Sequence, residues 1–324
     1  MHSRSYLLAL AARDDVRDVL LLDESRPALA DEVASQLGID TVKTAAELLD
    51  HVDAVIITSA NADHRRMAVE AAGAGVHVLA EKPLATSVAD AEAMIAACSH
   101  AGVVLAIAFP CPFSPAFRAL CERYSQGDLG RLLAIRATNR GSMPGGFFIE
   151  LDRSGGGAVI DHTVHVADLL RRLTGTDPVS VYAEIGHGLY HQTWDDSGLL
   201  TIAMGDESIA TLDCSWSRPA SYPTWGDVNL KVIGTKATAD ARLFDQYIAH
   251  YPSESAPARW ISWGSDLDAL MIDDFIDAVT SSQRPMSTGE DGLWALKVAL
   301  AAYASGSCGA PVGLDTLDRP CERG

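Results

Sequence analysis

Asp161 and His165 stand four residues apart in the run Gly155-Gly156-Gly157-Ala158-Val159-Ile160-Asp161-His162-Thr163-Val164-His165-Val166-Ala167-Asp168. On a helix this spacing puts both side chains on one face, with Asp168 about a turn further along. A carboxylate beside an imidazole raises its basicity and fixes its orientation, which suits a general base near neutral pH. The plainer alternative for an Asp-x-x-x-His pair is a surface contact or part of a capped helix. Half of a metal site is a third option, but no further ligand stands at motif spacing, so no metal is expected. Lys82 is the next candidate. It follows a buried apolar run and precedes Pro83, in a chain whose other lysines are Lys43, Lys231, Lys236 and Lys297. An amine at the carboxyl edge of a parallel sheet can polarise a substrate oxygen; a loop lysine in a turn is the plainer reading. Asp23 ends the apolar run 19–22. There an acid can accept hydrogen bonds from a ribose diol, or simply cap the next helix. Arg26 is the nearby residue that could instead receive a 2′-phosphate.

These side chains need elements to position them. The first third alternates apolar runs (19–22, 54–57, 76–79, 103–108) with helical spacings such as Leu29, Val33, Leu37 stopped by Gly38. Strands apolar on both faces and separated by helices mean a parallel sheet covered on both sides. The predicted fold class is therefore α/β, a Rossmann-like doubly wound parallel sheet over residues 1–108. From 109 to 324 the pattern changes to strands (179–185, 198–204, 208–217, 229–233) followed by two closing helices, 267–280 and 289–304. This reads as an α+β domain with an open, mainly antiparallel or mixed sheet. Ser154–Gly157 opens a helix and could bind an anion, but it lacks the Lys-Ser/Thr of a phosphate loop. Close packing of the helix start is the alternative.

Composition excludes several classes. With 324 residues, 48% apolar and 21% charged, the chain is an ordinary globular one. A formal net charge of −18 repels nucleic-acid backbones and anionic membrane surfaces, so neither partner is expected. No run approaches the ~18 apolar residues of a transmembrane helix, and no signal peptide is read. The six cysteines show no C-x-x-C spacing, so the expectation is reduced thiols in a cytoplasmic protein. Trp194, Trp216, Tyr222 and Trp225 are candidates for sugar stacking, for an interface, or for strand-face packing.

Three stretches carry a resemblance: Thr58-Ser59-Ala60-Asn61-Ala62-Asp63-His64, then Gly75 through Glu81-Lys82-Pro83-Leu84-Ala85, then the Gly155–Asp168 helix. With Ile233-Gly234-Thr235-Lys236 and Ser287 through Gly292 they resemble the glucose–fructose oxidoreductase, inositol dehydrogenase and rhizopine-catabolism (Gfo/Idh/MocA) family over nearly the whole chain. The resemblance implies an N-terminal Rossmann domain binding NAD or NADP, a sugar or polyol substrate, and a homo-oligomer formed through the C-terminal sheet. It implies cofactor contacts from Asp23, Thr58, Asn61, His64, Glu81, Lys82 and Pro83, with NAD favoured by the Asp23 charge. It also implies that His165 accepts the hydroxyl proton, Asp161 orients substrate or base, and Lys82 stabilises the developing alkoxide. The function that follows is hydride transfer between a hydroxy compound and the nicotinamide. The alternatives are a redox-cycling lyase or hydrolase with tightly bound NAD, and a ligand-sensing relative without turnover. Two departures stand out. Phe109-Pro110-Cys111-Pro112-Phe113-Ser114-Pro115 has no arginine where family members usually carry one. And no strand or G-x-G-x-x-G precedes the first helical stretch, so the expectation is a Rossmann sheet lacking its first strand and glycine loop, about a dozen residues.

Overall fold

The computed structural model describes residues 2–222, 224–252 and 259–317. In the first half, helices alternate with short strands: α1 (His2–Ala11), β1 (Leu20–Leu21), α2 (Pro27–Leu37), β2 (Asp40–Thr41), α3 (Ala45–Leu49), β3 (Ala54–Ile57), α4 (His64–Gly73), β4 (His77–Ala80), α5 (Val88–Ala101) and β5 (Leu105–Ile107). Residue types set the boundaries. Pro27 opens α2, where its missing N–H leaves no bond unmade, and Gly38 ends it at φ 70°. Ser87 caps α5 by accepting the Asp90 N–H.

All these strands pair in parallel, but in two separate sheets, β1-β2 and β3-β4-β5. No strand among the described residues bridges the two groups. Burial follows this division. Val78, Leu79 and Ala80 of β4 are buried, whereas Leu20, Leu21, Ala54, Val55 and Ile56 are only half-buried. On the other side α1 packs against a C-terminal helix, and its Tyr6 joins Leu79, Phe113 and Phe275 in a buried cluster.

The second half holds α6 (Pro115–Ser125), β6 (Leu132–Gly141), α7 (Leu151–Ser154), α8 (Ala158–Thr174), β7 (Pro178–Gly186), β8 (Ser197–Met204), β9 (Ile209–Ser215), β10 (Gly226–Gly234), β11 (Thr238–Arg242), β12 (Tyr247–His250), β13 (Arg259–Ser262), α9 (Leu267–Ser281), α10 (Gly289–Cys308) and β14 (Val312–Gly313). Seven strands form one mixed sheet, β11-β10-β6-β9-β8-β7-β14, in which β6 and β9 are parallel. Strand alternation gives it two faces. Leu200, Ile202, Leu212 and Val232 point into the core under α8 and α10, while Leu199, Ile209, Val179 and Leu133 stay exposed on the other face. A capping box of Thr288 and Asp291 starts α10. α8 is buried along nearly its whole length. Elements of two to five residues, such as β2, α3 and β14, leave too little periodicity to be read from sequence.

Cys98, Cys111, Cys121 and Cys214 are free thiols. Cys308 is disulfide-bonded, which corrects the expectation of reduced thiols throughout: sequence spacing says nothing about cysteines that meet only in space. Cys321 lies outside the described residues. No helix among the described residues is long and apolar enough to cross a membrane.

Candidate active site

Glu81, Lys82 and Pro83 follow directly on β4, so the Lys82 side chain leaves the carboxyl end of a parallel strand. Its Nζ donates to Asp161 Oδ1 at 2.5 Å and to the Asp161 carbonyl at 3.3 Å. Both side chains are only 5% exposed, so this ion pair is shielded from water. Trp216 Nε1 donates to Asp161 Oδ2 at 3.0 Å, and His162 Nε2 lies 3.5 Å from that oxygen. Burial opposes the Asp161 charge, but Lys82 beside it, with His162 and Trp216, overrides burial and holds the carboxyl well below its usual range. His162 shows the opposite balance: burial outweighs the attraction of Asp161 and lowers its pKa to about 4. Asn139 Nδ2 donates to the His162 carbonyl, which turns the Asn139 oxygen to His162 Nδ1 at 2.8 Å.

The Asp161 oxygens thus go to Lys82 and Trp216, and the imidazole nearest them belongs to His162. His165 instead lines a cavity of ≈ 410 Å³ together with Lys82, Cys111, Trp225, Phe244 and residues 262–268. The Phe109 ring stands edge-on to His165 at 5.8 Å between centroids. The volume is that of a small-molecule site, and its walls are mostly apolar around a few converging polar groups.

The three glycines before α8 are packing residues. A Cβ on Gly155 would lie 2.8 Å from Thr86 Cγ2, one on Gly156 2.2 Å from the Tyr303 hydroxyl, and one on Gly157 2.1 Å from the Asp195 carbonyl. Only glycine lets the start of α8 approach the Lys82 loop, α10 and the chain ahead of β8 so closely.

Residues 2–109 match the pattern described as an oxidoreductase family with an NAD-binding Rossmann fold, and residues 117–240 match the Gfo/Idh/MocA C-terminal domain. D-xylose 1-dehydrogenase (NADP(+)) 2 of Haloferax volcanii is 33% identical, over 95% of this chain and 91% of its own. The chain belongs to the Gfo/Idh/MocA oxidoreductase family. The 1,5-anhydro-D-fructose reductase of Ensifer adhaerens is 29% identical over 87% of each chain. Among solved structures, GenD2 from gentamicin A biosynthesis, in complex with NAD, superposes with a TM-score of 0.85 at 26% identity, over 95% of this chain and 92% of that one.

The other sequence-selected residues of this Gfo/Idh/MocA protein divide into two groups. Asn61 Nδ2 donates to the Ser154 carbonyl at 2.8 Å. His64 is fully buried, with Nδ1 3.1 Å from the Pro83 carbonyl and Nε2 3.3 Å from the Ser59 carbonyl. Glu81 accepts the Tyr6 hydroxyl at 2.6 Å and the Lys82 N–H at 3.1 Å. These residues and Pro83 form one corner that fixes the Lys82 loop. Thr58 is exposed at the end of β3. Asp23 stands at the end of β1 and is engaged locally: Oδ1 accepts the Ser25 N–H and hydroxyl and the Arg26 N–H, and Oδ2 takes the Arg26 side chain at 3.2 Å. Nothing in the sequence marks Asn139 or His162 as a site residue. Trp216 was visible there only as one aromatic among several.

Proposed function

We propose that the protein is an NAD(P)-dependent dehydrogenase oxidising a CH–OH group of a sugar, polyol or related hydroxy compound. The observation that carries this is the Lys82–Asp161 ion pair meeting His165 at one cavity beyond a parallel strand. An ammonium has three donors, and Asp161 takes two of them. The third is left for the substrate oxygen, whose developing negative charge it stabilises. Asp161 keeps that amine aimed. His165 accepts the hydroxyl proton. Trp225 and Phe244 line the cavity beside the reacting carbon, and Phe109 packs edge-on against His165. When bound, the nicotinamide supplies the hydride-accepting carbon; the residues present suit that end of the cofactor, with a small-molecule cavity against Lys82 and strand ends at Thr58 and Glu81–Pro83.

At the other end, Asp23 favours NAD over NADP: its charge repels a 2′-phosphate, and Arg26 is already paired with it. The division of the parallel sheet supports a seat for one more parallel strand between β1 and β3, with a tight glycine turn leading into α1. The exposed face bearing Leu199, Ile209, Val179 and Leu133 supports a homo-oligomer formed sheet to sheet. We take the domain division near residue 108, where β5 gives way to the cavity-lining loop. Free thiols such as Cys111 suit the cytoplasm, although the Cys308 disulfide points the other way.

The test is to incubate the chain with NAD or NADP and a panel of myo-inositol, D-xylose and D-glucose, following reduced cofactor by absorbance. Reduction that His165→Ala lowers by roughly 10²–10⁴-fold is expected, with NADH affinity unchanged. A chain that binds NADH yet oxidises no polyol overturns the reading. For the sheet, NADH is titrated into the chain with and without a strand and G-x-G-x-x-G turn fused ahead of His2. Equal, tight binding by both forms removes the argument for the extra strand.

A further inference from the structure

The first turn of α8 is capped from outside its own sequence. Its N-cap, Gly157, has no side chain to offer. Asp195, only 4% exposed, supplies the missing acceptors. Its Oδ1 accepts the Gly157 N–H at 2.8 Å, its Oδ2 the Val159 N–H at 2.7 Å, and its carbonyl the Ala158 N–H at 2.9 Å. The Tyr303 hydroxyl donates to Asp195 Oδ1 at 2.8 Å and accepts from the Gly157 and Ile160 amides at 3.1 and 3.3 Å. Every amide from 157 to 160, the orphan donors of a helix start, therefore meets this pair. Asp161 is the next residue, and its N–H makes the bond back to Gly157 at 3.2 Å. Thr86, in the loop that carries Lys82, packs on Gly155. The direction of this one turn thus sets where the Asp161 carboxylate meets the Lys82 amine.

We infer that Asp195 is a positioning residue for the Lys82–Asp161 pair, acting with Tyr303 through the first turn of α8. It touches neither Lys82 nor Asp161. The inference rests on the role given to that pair above. Burial and the Asp195 charge hold the Tyr303 hydroxyl well above its usual pKa, so it remains a donor throughout the working range. Asn in place of Asp195 loses the negative charge at the helix start and one acceptor, because its amide nitrogen cannot receive a backbone N–H.

The test reads Lys82 directly. With five lysines in the chain, acetylation by an amine-reactive ester can be followed at each one by peptide mass spectrometry. In Asp195→Asn, Lys82 acetylation is expected to quicken by roughly 10–100-fold, the loss of one charge-assisted bond, while Lys43, Lys231, Lys236 and Lys297 keep their rates. Turnover falls while KM for NADH stays constant. The control is Asp196→Asn, which leaves the Asp196 carbonyl on the Trp216 amide untouched: the buried Asp196 carboxylate accepts the Leu189 and Tyr190 amides and the Ser197 hydroxyl. It should lower the melting temperature without exposing Lys82. Should Asp195→Asn fail to fold, Tyr303→Phe decides, with a smaller rise of the same pattern. Lys82 acetylation at the wild-type rate in a folded variant overturns the inference, and so does a uniform rise at all five lysines. Labelling needs no turnover, so a wild type inactive on every polyol would sink the dehydrogenase reading and leave the role of Asp195 to be decided separately.

Discussion

Two parts of the same α/β half are built on different terms. Around Lys82, side chains from distant points of the chain converge: Asp161 from α8, Trp216 from beyond β9, Glu81 bound by Tyr6 of α1. Around Asp23, the bonds run only to Ser25 and Arg26. The first region is buried and its polar groups hold one another in place. The second is half exposed, and its two-residue strands lean on a single neighbour. A site assembled from remote segments is fixed by the whole fold. One assembled from adjacent residues is fixed only by its own turn.

Removing Lys82 should break the first region most. Lys82→Met strands a carboxylate that is 5% exposed, and stability measured by denaturant unfolding should fall by roughly 3–5 kcal/mol. The double variant Lys82→Met/Asp161→Leu should regain most of this, because neither charge then remains. A single variant as stable as wild type would mean that Asp161 is not held by that amine.

The next effect lies along α8 and has two signs. Burial raises Asp168 from its usual 3.8 to about 6, in spite of Arg172. The native state then holds its proton more tightly than the unfolded state, and this contribution to stability is present at low pH and lost as pH rises through about 6. His162, lowered from 6.5 to about 4, does the reverse: stability is present above 6.5 and is lost as pH falls toward 4. Each is worth about 3 kcal/mol, and between pH 4 and 6.5 the two act in opposite directions. Relative to the wild type, Asp168→Asn should lose more stability toward acid, and His162→Gln should lose less. Identical pH profiles for the two variants would refute the assignment.

The smallest effect belongs to the second region. Asp23→Ala removes a local turn, at about 1 kcal/mol, without altering Lys82 labelling. It should also narrow the preference for NADH over NADPH in a binding titration. A loss as large as that of Lys82→Met would erase the contrast between the regions.

What could be read beforehand follows the same division. Period and caps made α2, α5 and the parallel strands legible, because Gly38, Ser87 and the apolar runs act locally. Asp161 and Lys82 stood out by type and spacing. The sequence placed Asp161 on one face with His165, but contacts across 79 residues decide which partner it takes, and Lys82 wins. The glycines 155–157 could be read equally as an anion loop or as packing until Thr86, Tyr303 and Asp195 are seen against them. Asn139 carries no motif at all; only the fold brings it to His162.

The burial of α8 has a consequence for how such proteins diversify. A helix with almost no solvent face offers few positions where a substitution costs nothing. The opposite wall of the cavity is free of that restraint. Trp263 is 59% exposed, and its neighbours through Asp266 are exposed as well. New preferences for ring size or substituents can accumulate there one residue at a time, while the proton-handling groups across the cavity stay as they were.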